Sequence, residues 1–154
     1  MAAASGGYLI LMDGDCVPEV DFIARHRQLA QPGCFVNGSR VLLNAAFTQR
    51  ALAQNLAIAG RSVGFWLRRR LSGEASKLTG LFRLPDGRRR LQPRFVWKGI
   101  RSANMSLWRK DYEAVNGFDE TFVGWGHEDA DFVLRLHNAG SVSYTHLRAH
   151  ETRH

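Results

Sequence analysis

The feature that most constrains the fold is a short apolar run that ends in two acidic residues. Tyr8 to Met12 reads Tyr-Leu-Ile-Leu-Met, and Asp13-Gly14-Asp15 follows it directly. A continuous apolar run bounded by a turn signal is typical of a strand buried in a parallel sheet. In open parallel sheets, ligands bind beyond the carboxyl ends of the strands. We therefore predict that the two aspartates lie at a binding site.

Length and composition favour one globular domain. The chain has 154 residues, of which 45% are hydrophobic, which is enough for a packed core. Strand patterns alternate with helical patterns, the clearest of which runs from Asp129 to Ala139, and this mixture predicts an α/β fold. Cys16 and Cys34 make neither a disulfide framework nor a zinc pattern. We therefore expect a reduced, cytoplasmic setting.

The last residues do not fit the domain. Residues 142–154 show neither clean helical nor strand periodicity, and they resemble the translation of a transposase adapter used to prepare sequencing libraries. We predict a domain over residues 1–141 and a non-native tail over residues 142–154. The chain also begins with what reads as the end of a helix, which predicts that residues 1–141 are a partial domain.

Asp13 and Asp15 carry the first candidate chemistry. Residues two apart in an extended segment point the same way, and Gly14 removes a side chain from between them. One carboxylate can ligate Mn²⁺ or Mg²⁺, while the other meets the metal's water or a ribose hydroxyl. An acidic turn without function is one alternative. The pattern Asp13-x-Asp15-x-Val17 also resembles the nucleophile motif of haloacid-dehalogenase-like phosphatases, with Asp13 as nucleophile and Asp15 as the acid/base.

A second acidic motif, Gly-Trp-Gly-His-Glu-Asp, ends where the late helix begins. The glycines on either side of Trp125 allow a loop that presents the indole, whose face can stack on the apolar face of a sugar. Glu128 and Asp129 fall at a helix N-terminus, where acids are favourable for the macrodipole alone. In the functional interpretation, Asp129 or Glu128 is a general base that takes the proton from an acceptor hydroxyl.

The block from Asn116 to Asp131 resembles the acceptor-side motif of galactosyltransferase-type enzymes. It reads Asn-Gly-Phe-Asp-Glu-x-Phe-x-Gly-Trp-Gly-x-Glu-Asp-x-Asp. Those enzymes are glycosyltransferases of the GT-A fold, which is Rossmann-like, and bacterial family 2 members look similar. The resemblance covers most of Tyr8 to Gly140. It implies a partial GT-A domain that moves a sugar, with inversion, from a nucleoside diphosphate such as UDP to a hydroxyl acceptor.

The resemblance also implies roles for individual residues. Asp15 would be a metal ligand, and Asp13 would contact the donor nucleotide or the metal shell. Asp129 would be the base, and Glu128 would position the acceptor. We predict further contacts on the acceptor side at Gly124, Trp125, Gly126 and Asn104, and on the donor side at Lys98 and Arg101. A solvated basic face is the alternative for Lys98 and Arg101.

Two parts of such a site are missing from the sequence. The family's first strand, which carries much of the nucleotide-base pocket, would precede Met1. A histidine metal ligand expected after the second motif would fall inside the predicted tail. We therefore expect residues 1–154 to be inactive alone.

The middle of the chain is strongly basic. Arg61 to Lys110 holds 14 of the 21 lysines and arginines and only two acids. Arginines mixed with apolar residues suit the surface of an anionic membrane. We expect peripheral contact at the inner face of the cell membrane and a lipid-linked acceptor, as in envelope polysaccharide or glycolipid synthesis. No nucleic-acid motif accompanies the basic residues, so no nucleic-acid partner is predicted. A non-catalytic basic binding module remains an alternative.

Overall fold

The chain folds into a mixed sheet flanked by helices. The computed structural model describes residues 4–76, 78, 85–96, 99–122 and 127–145. The strands in these ranges are β1 (Tyr8–Met12), β2 (Cys34–Asn37), β3 (Leu91–Gln92), β4 (Asn104–Trp108) and β5 (Val142–Thr145). The α-helices in these ranges are α1 (Phe22–Leu29), α2 (Ala45–Ala53), α3 (Val63–Leu71), α4 (Arg109–Ala114) and α5 (Glu128–Asn138). The predicted α/β class is confirmed.

The sheet has the order β1-β4-β2-β5-β3, and most of its pairings are antiparallel. β4 runs antiparallel to both β1 and β2, β3 runs antiparallel to β5, and β2 and β5 are parallel. The apolar run forms β1 as predicted, but its partner within the described residues is the antiparallel β4 rather than a parallel strand. The apolar pattern specifies a strand and its burial, whereas the direction of the neighbour depends on chain topology.

β4 is the centre of the core because its two faces are covered by different helices. Met105 and Leu107 are buried in one cluster with Phe132 and Leu136 of α5. Alternate residues of a strand point to opposite faces. Ser106, between those two, is buried against α1 on the other face. α5 and α1 therefore sandwich the sheet.

A hydrogen-bonded chain crosses the α1 side of the sheet. The Tyr8 hydroxyl lies 2.8 Å from Ser106 Oγ, and Ser106 Oγ lies 2.6 Å from His26 Nδ1. His26 Nε2 donates to Asn104 Oδ1 at 3.0 Å, so Nδ1 is the nitrogen that accepts in the neutral ring. Burial lowers the pKa of His26, and the bond to Asn104 opposes that shift only in part. The imidazole is therefore held neutral.

β5 differs from the sequence-based expectation. Val142–Thr145 was predicted to begin a tail without regular structure, yet it forms a strand between β2 and β3. Tyr144 is buried in a cluster with Leu29 and Val36. A short segment with no periodicity of its own can form a strand when both neighbours supply backbone partners. The foreign origin of residues 142–154 stays a prediction, and residues 146–154 lie outside the described residues.

α3 lies in the basic segment, which has no clear pattern in the sequence. Ser62 precedes the helix, and its Oγ accepts a hydrogen bond from the amide of Phe65 at 3.3 Å, as an N-cap does. Trp66 points inward and is buried. Within the described residues, every helix is too short or too polar to cross a membrane.

Candidate functional site

The two acidic motifs meet at one cleft. It has a volume of about 550 Å³, and its lining includes Asp13 after β1 and Glu128 and Asp129 at the start of α5. The strand register explains the meeting. Met12, at the end of β1, lies opposite Asn104, at the start of β4. The segments that follow β1 and precede β4 are therefore at the same edge of the sheet, where α5 begins.

Asp129 is held by one carboxylate oxygen. Its Oδ2 accepts a hydrogen bond from the backbone amide of Ser102 at 3.1 Å. Its Oδ1 is buried and has no hydrogen-bond partner among the described residues. The bond to Ser102 thus fixes the Asp129 side chain at the wall of the cleft.

The other acids in the first turn of α5 have different surroundings. Glu128 is half-buried and lines the cleft beside Asp129. Asp131 instead accepts from Arg135 Nε at 2.8 Å. Arg135 also donates to the carbonyl oxygen of Gly117 at 2.6 Å, which ties α5 to the turn after α4. Asp131 therefore supports the helix, and the two acids before it line the cleft.

Asp13 and Asp15 form an exposed acidic group with Cys16. One ligand atom from each lies within 4.8 Å of the others. Arg40 Nη1 approaches Asp13 Oδ2 at 3.7 Å. Burial, then the charges of Asp15 and Asp13, raise the pKa of the Cys16 thiol. The protonated thiol leaves two carboxylates as donors, and such an oxygen set fits Mn²⁺ or Mg²⁺.

The structure places the remaining predicted residues less favourably. The amide of Asn104 is used by His26 and by the carbonyl oxygen of Ser39, which it contacts at 2.8 Å, and Asn104 is not among the residues that line the cleft. Arg101 also lies outside the lining, and its Nη1 donates to the carbonyl oxygen of Ile100 at 3.0 Å. Four predicted contacts lie outside the described residues: Lys98, Gly124, Trp125 and Gly126.

Sequence reasoning missed the apolar wall of the cleft. Met12, Phe118 and Phe122 line it together with the acids. Phe118 stacks on Phe132 of α5 with ring centroids 4.2 Å apart, so it also packs the helix that carries Asp129. Both phenylalanines are inside the block that resembles the galactosyltransferase motif. The sequence signal was present, but only the fold shows that these two side chains line the cleft.

Asp119 also lines the cleft, and its carboxylate is part of a tight turn. Its Oδ1 accepts from the backbone amide of Thr121 at 2.9 Å and from the Thr121 hydroxyl at 2.7 Å. These two bonds lower the pKa of Asp119. The ionised carboxylate holds the turn that carries Phe118 and Phe122 along the cleft.

Comparison with known proteins points to the same class of enzyme. Residues 86–152 match the family described as the N-terminal domain of galactosyltransferase. The match includes the Asn116–Asp131 block and continues beyond Val142, but does not reach Asp13. It supports a glycosyltransferase at the general level.

Two curated relatives agree. Both are named validoxylamine A glucosyltransferase, one from Streptomyces hygroscopicus subsp. jinggangensis (strain 5008) and one from subsp. limoneus. Each is 37% identical over 65 residues, covering 36% of this chain. The matched region spans only 15% and 14% of the length of these relatives. These relatives also support a glycosyltransferase at the general level. Their substrates are not carried over to this chain.

Proposed function

We propose that the chain is part of a metal-dependent glycosyltransferase that moves a sugar from a nucleoside diphosphate to a hydroxyl acceptor. The observation that carries the proposal is the shared cleft of Asp13, Glu128 and Asp129. A glycosyltransferase needs a place for the departing diphosphate beside a base for the incoming hydroxyl. Asp13 and the base-type acids Glu128 and Asp129 are far apart in sequence and line one cavity, while Asp15 lies outside its lining.

Asp129 is the proposed general base. The acceptor oxygen attacks the anomeric carbon, the bond from that carbon to the diphosphate oxygen breaks, and the hydroxyl proton passes to the Asp129 carboxylate. The Ser102 amide keeps the side chain in place through Oδ2 during this transfer. Glu128, beside it, accepts from another acceptor hydroxyl and orients the substrate. Attack opposite the leaving group inverts the anomeric centre.

Asp13 and Asp15 are the proposed holders of Mn²⁺ or Mg²⁺. Such a cation, when bound, supplies positive charge that stabilises the leaving diphosphate. Asp13 lines the cleft, so its carboxylate is suited to face the donor. Arg40 lies close to Asp13, with its Nη1 3.7 Å from Asp13 Oδ2.

The finer assignments are proposals that follow the resemblance. We propose a GT-A domain of the family 2 type, a UDP-sugar donor, and Lys98 and Arg101 on the donor side. Gly124, Trp125 and Gly126 would line the acceptor side. Membrane proximity in the cytosol would suit a lipid-linked acceptor. Asn104 is the weakest of the predicted contacts because its amide already has two partners.

The proposal is tested first by binding, which does not require turnover. We expect Mn²⁺ to bind with a 1:1 stoichiometry and UDP to bind, through its diphosphate, only with Mn²⁺, as measured by electron paramagnetic resonance and calorimetry. Asp15→Ala should weaken Mn²⁺ binding by about ten-fold or more. Glu113→Gln, an exposed acid outside the cleft, is the matched control.

Turnover then separates the metal role from the base role. In an extended version of the protein that transfers sugar, Asp129→Asn should leave Mn²⁺ and UDP binding unchanged and reduce kcat by about 100-fold or more. Unchanged kcat would remove Asp129 as the base. Hydrolysis of p-nitrophenyl phosphate that disappears in Asp13→Asn, without any UDP binding, would instead favour the phosphatase alternative.

A further inference from the structure

The exposed face of α3 is apolar along its centre. Val63, Leu67 and Leu71 are 61%, 51% and 80% exposed. They follow one another at intervals of four residues, so they form one stripe along the helix. Trp66, about 100° around the helix from Leu67, is only 5% exposed. The helix is thus anchored by its inner face and leaves an aliphatic stripe in solvent.

Arginines border this stripe. Arg70 lies three residues after Leu67, and Arg68 lies three residues before Leu71, so each is a neighbour of the stripe on the helix surface. Both side chains are exposed, and the described residues contain no acid within salt-bridge distance of either. The stripe therefore has cations close to it.

The nearby acid does not neutralise these cations. Glu74 accepts from Arg50 and from Arg69, the latter at 2.6 Å. These bonds lower the pKa of Glu74 to about 2. Glu74 thus turns Arg69 inward and leaves Arg68 and Arg70 as the outward charges of α3.

We propose that α3 docks on the surface of an anionic lipid bilayer. Interfacial helices have this arrangement, with aliphatic side chains that enter the headgroup region and basic side chains that meet lipid phosphates. Burial of one aliphatic side chain is worth about 1.5–3 kcal/mol, at about 25 cal/mol per Å² of apolar surface. Three such side chains therefore bury about 200–350 Å². A stable protein interface needs roughly 800 Å² per partner. The stripe is too small for such an interface, but shallow insertion with electrostatic attraction requires no more.

This docking is independent of the proposed reaction, because none of the α3 residues lines the cleft. The test is flotation of the 154-residue protein with vesicles of phosphatidylcholine alone and of an equimolar mixture with phosphatidylglycerol. We expect binding to the mixed vesicles only, weakening as salt is added. The double variant Arg68→Gln/Arg70→Gln should lower the partition coefficient on mixed vesicles roughly thirty-fold.

The stripe itself is tested by Leu67→Ser/Leu71→Ser, which should lower the partition coefficient roughly a hundred-fold. The matched controls are Leu52→Ser, an exposed leucine on α2, and Arg27→Gln/Arg89→Gln, which removes two exposed charges elsewhere. Both controls should bind as the parent does. Circular dichroism and thermal unfolding check that every variant is folded.

Three results would overturn the proposal. The first is equal binding to neutral and anionic vesicles. The second is binding that both α3 variants leave unchanged. The third is a failure of the parent protein to bind vesicles, together with either a dimer in sedimentation that Leu67→Ser/Leu71→Ser abolishes or binding to duplex DNA. In that case the face would serve a protein or nucleic-acid partner.

Discussion

At the residue scale, Asp129 is the most informative side chain. Its Oδ2 is bonded to the Ser102 amide, and its Oδ1 is buried without a partner in the described part of the chain. A buried polar atom without a partner costs about 1–3 kcal/mol. Because Asp129 also lines the cleft, this cost agrees with the role that we propose for it.

This cost predicts that Asp129→Asn stabilises the fold. The asparagine oxygen can still accept from Ser102, and its NH2 group takes the position of Oδ1, so a neutral unpaired group replaces a charged one that costs more to bury. The gain exceeds the roughly 0.3–1 kcal/mol lost from the helix macrodipole, so we expect a net increase of about 1 kcal/mol in the free energy of unfolding. Urea unfolding measures it, with Glu113→Gln as control. A clear loss of stability would contradict the idea that Oδ1 is unpaired.

The same residue shows the limit of sequence reasoning at this scale. The acids and the glycine-flanked Trp125 were identified from residue type and spacing alone. Residue type and helical position alone do not distinguish Asp129 from Asp131, since both fall in the first turn of the helix; the family resemblance is what selected Asp129. Asp131 pairs with Arg135, while Asp129 faces the cleft. That difference depends on which neighbour lies on each side of α5, and no local pattern encodes it.

At the element scale, the turn between α4 and α5 positions the cleft acids. Gly117 has a φ of +67°, and a Cβ there would lie 2.5 Å from Tyr112 Oη. The Phe118 after it stacks on Phe132 of α5. Arg135 bonds the Gly117 carbonyl from the other side. A residue larger than glycine would therefore have to displace the Tyr112 side chain.

Gly117→Ala should be more destabilising than a glycine substitution that involves backbone strain alone. Gly73 supplies the matched control, because it has a φ of +71° and no described atom within 4 Å of the position its Cβ would take. We expect Gly73→Ala to cost about 1–2 kcal/mol. Gly117→Ala should cost about 1–3 kcal/mol more because of the contact with Tyr112. Equal losses in thermal unfolding would show that Tyr112 moves aside freely.

The helices and strands themselves were predicted unevenly. The Asp129–Ala139 pattern is realised as α5 at Glu128–Asn138, because its apolar spacing and terminal glycine are local signals. α3 and β5 were not predicted. In α3, apolar residues occupy the exposed face as well as the buried one, so the sequence lacks a clear helical pattern. β5 depends on backbone partners from β2 and β3. Elements held mainly by distant contacts leave a weak trace in the sequence.

At the scale of the whole molecule, His26 links α1 to the central strand. It is buried, and it bonds Ser106 and Asn104. Burial lowers its pKa below the ordinary value of 6.5. The unfolded chain therefore binds a proton more readily than the folded chain. Its contribution to stability is fully present above pH 6.5 and is lost as the pH falls through the lowered pKa.

We therefore predict that the free energy of unfolding decreases on acidification below pH 6.5. The slope due to this single group cannot exceed about 1.4 kcal/mol per pH unit. The measurement is urea unfolding over this pH range for the parent and for His26→Gln. The difference between the two isolates His26, because the other titrating groups are common to both. Parallel pH profiles would contradict the prediction.

The sequence by itself determined the α/β class, the β1 strand with its acids, the α5 helix, and the block that points to a sugar transferase. These are local properties, since periodicity, turn residues and motif spacing are read within one segment. Only the tertiary structure decided that β1 pairs antiparallel with β4, that Asn104 is used by His26, and that Asp13 shares a cleft with Asp129. Those features depend on contacts between segments far apart in the chain, and burial and hydrogen bonding select them only once the whole sheet is assembled.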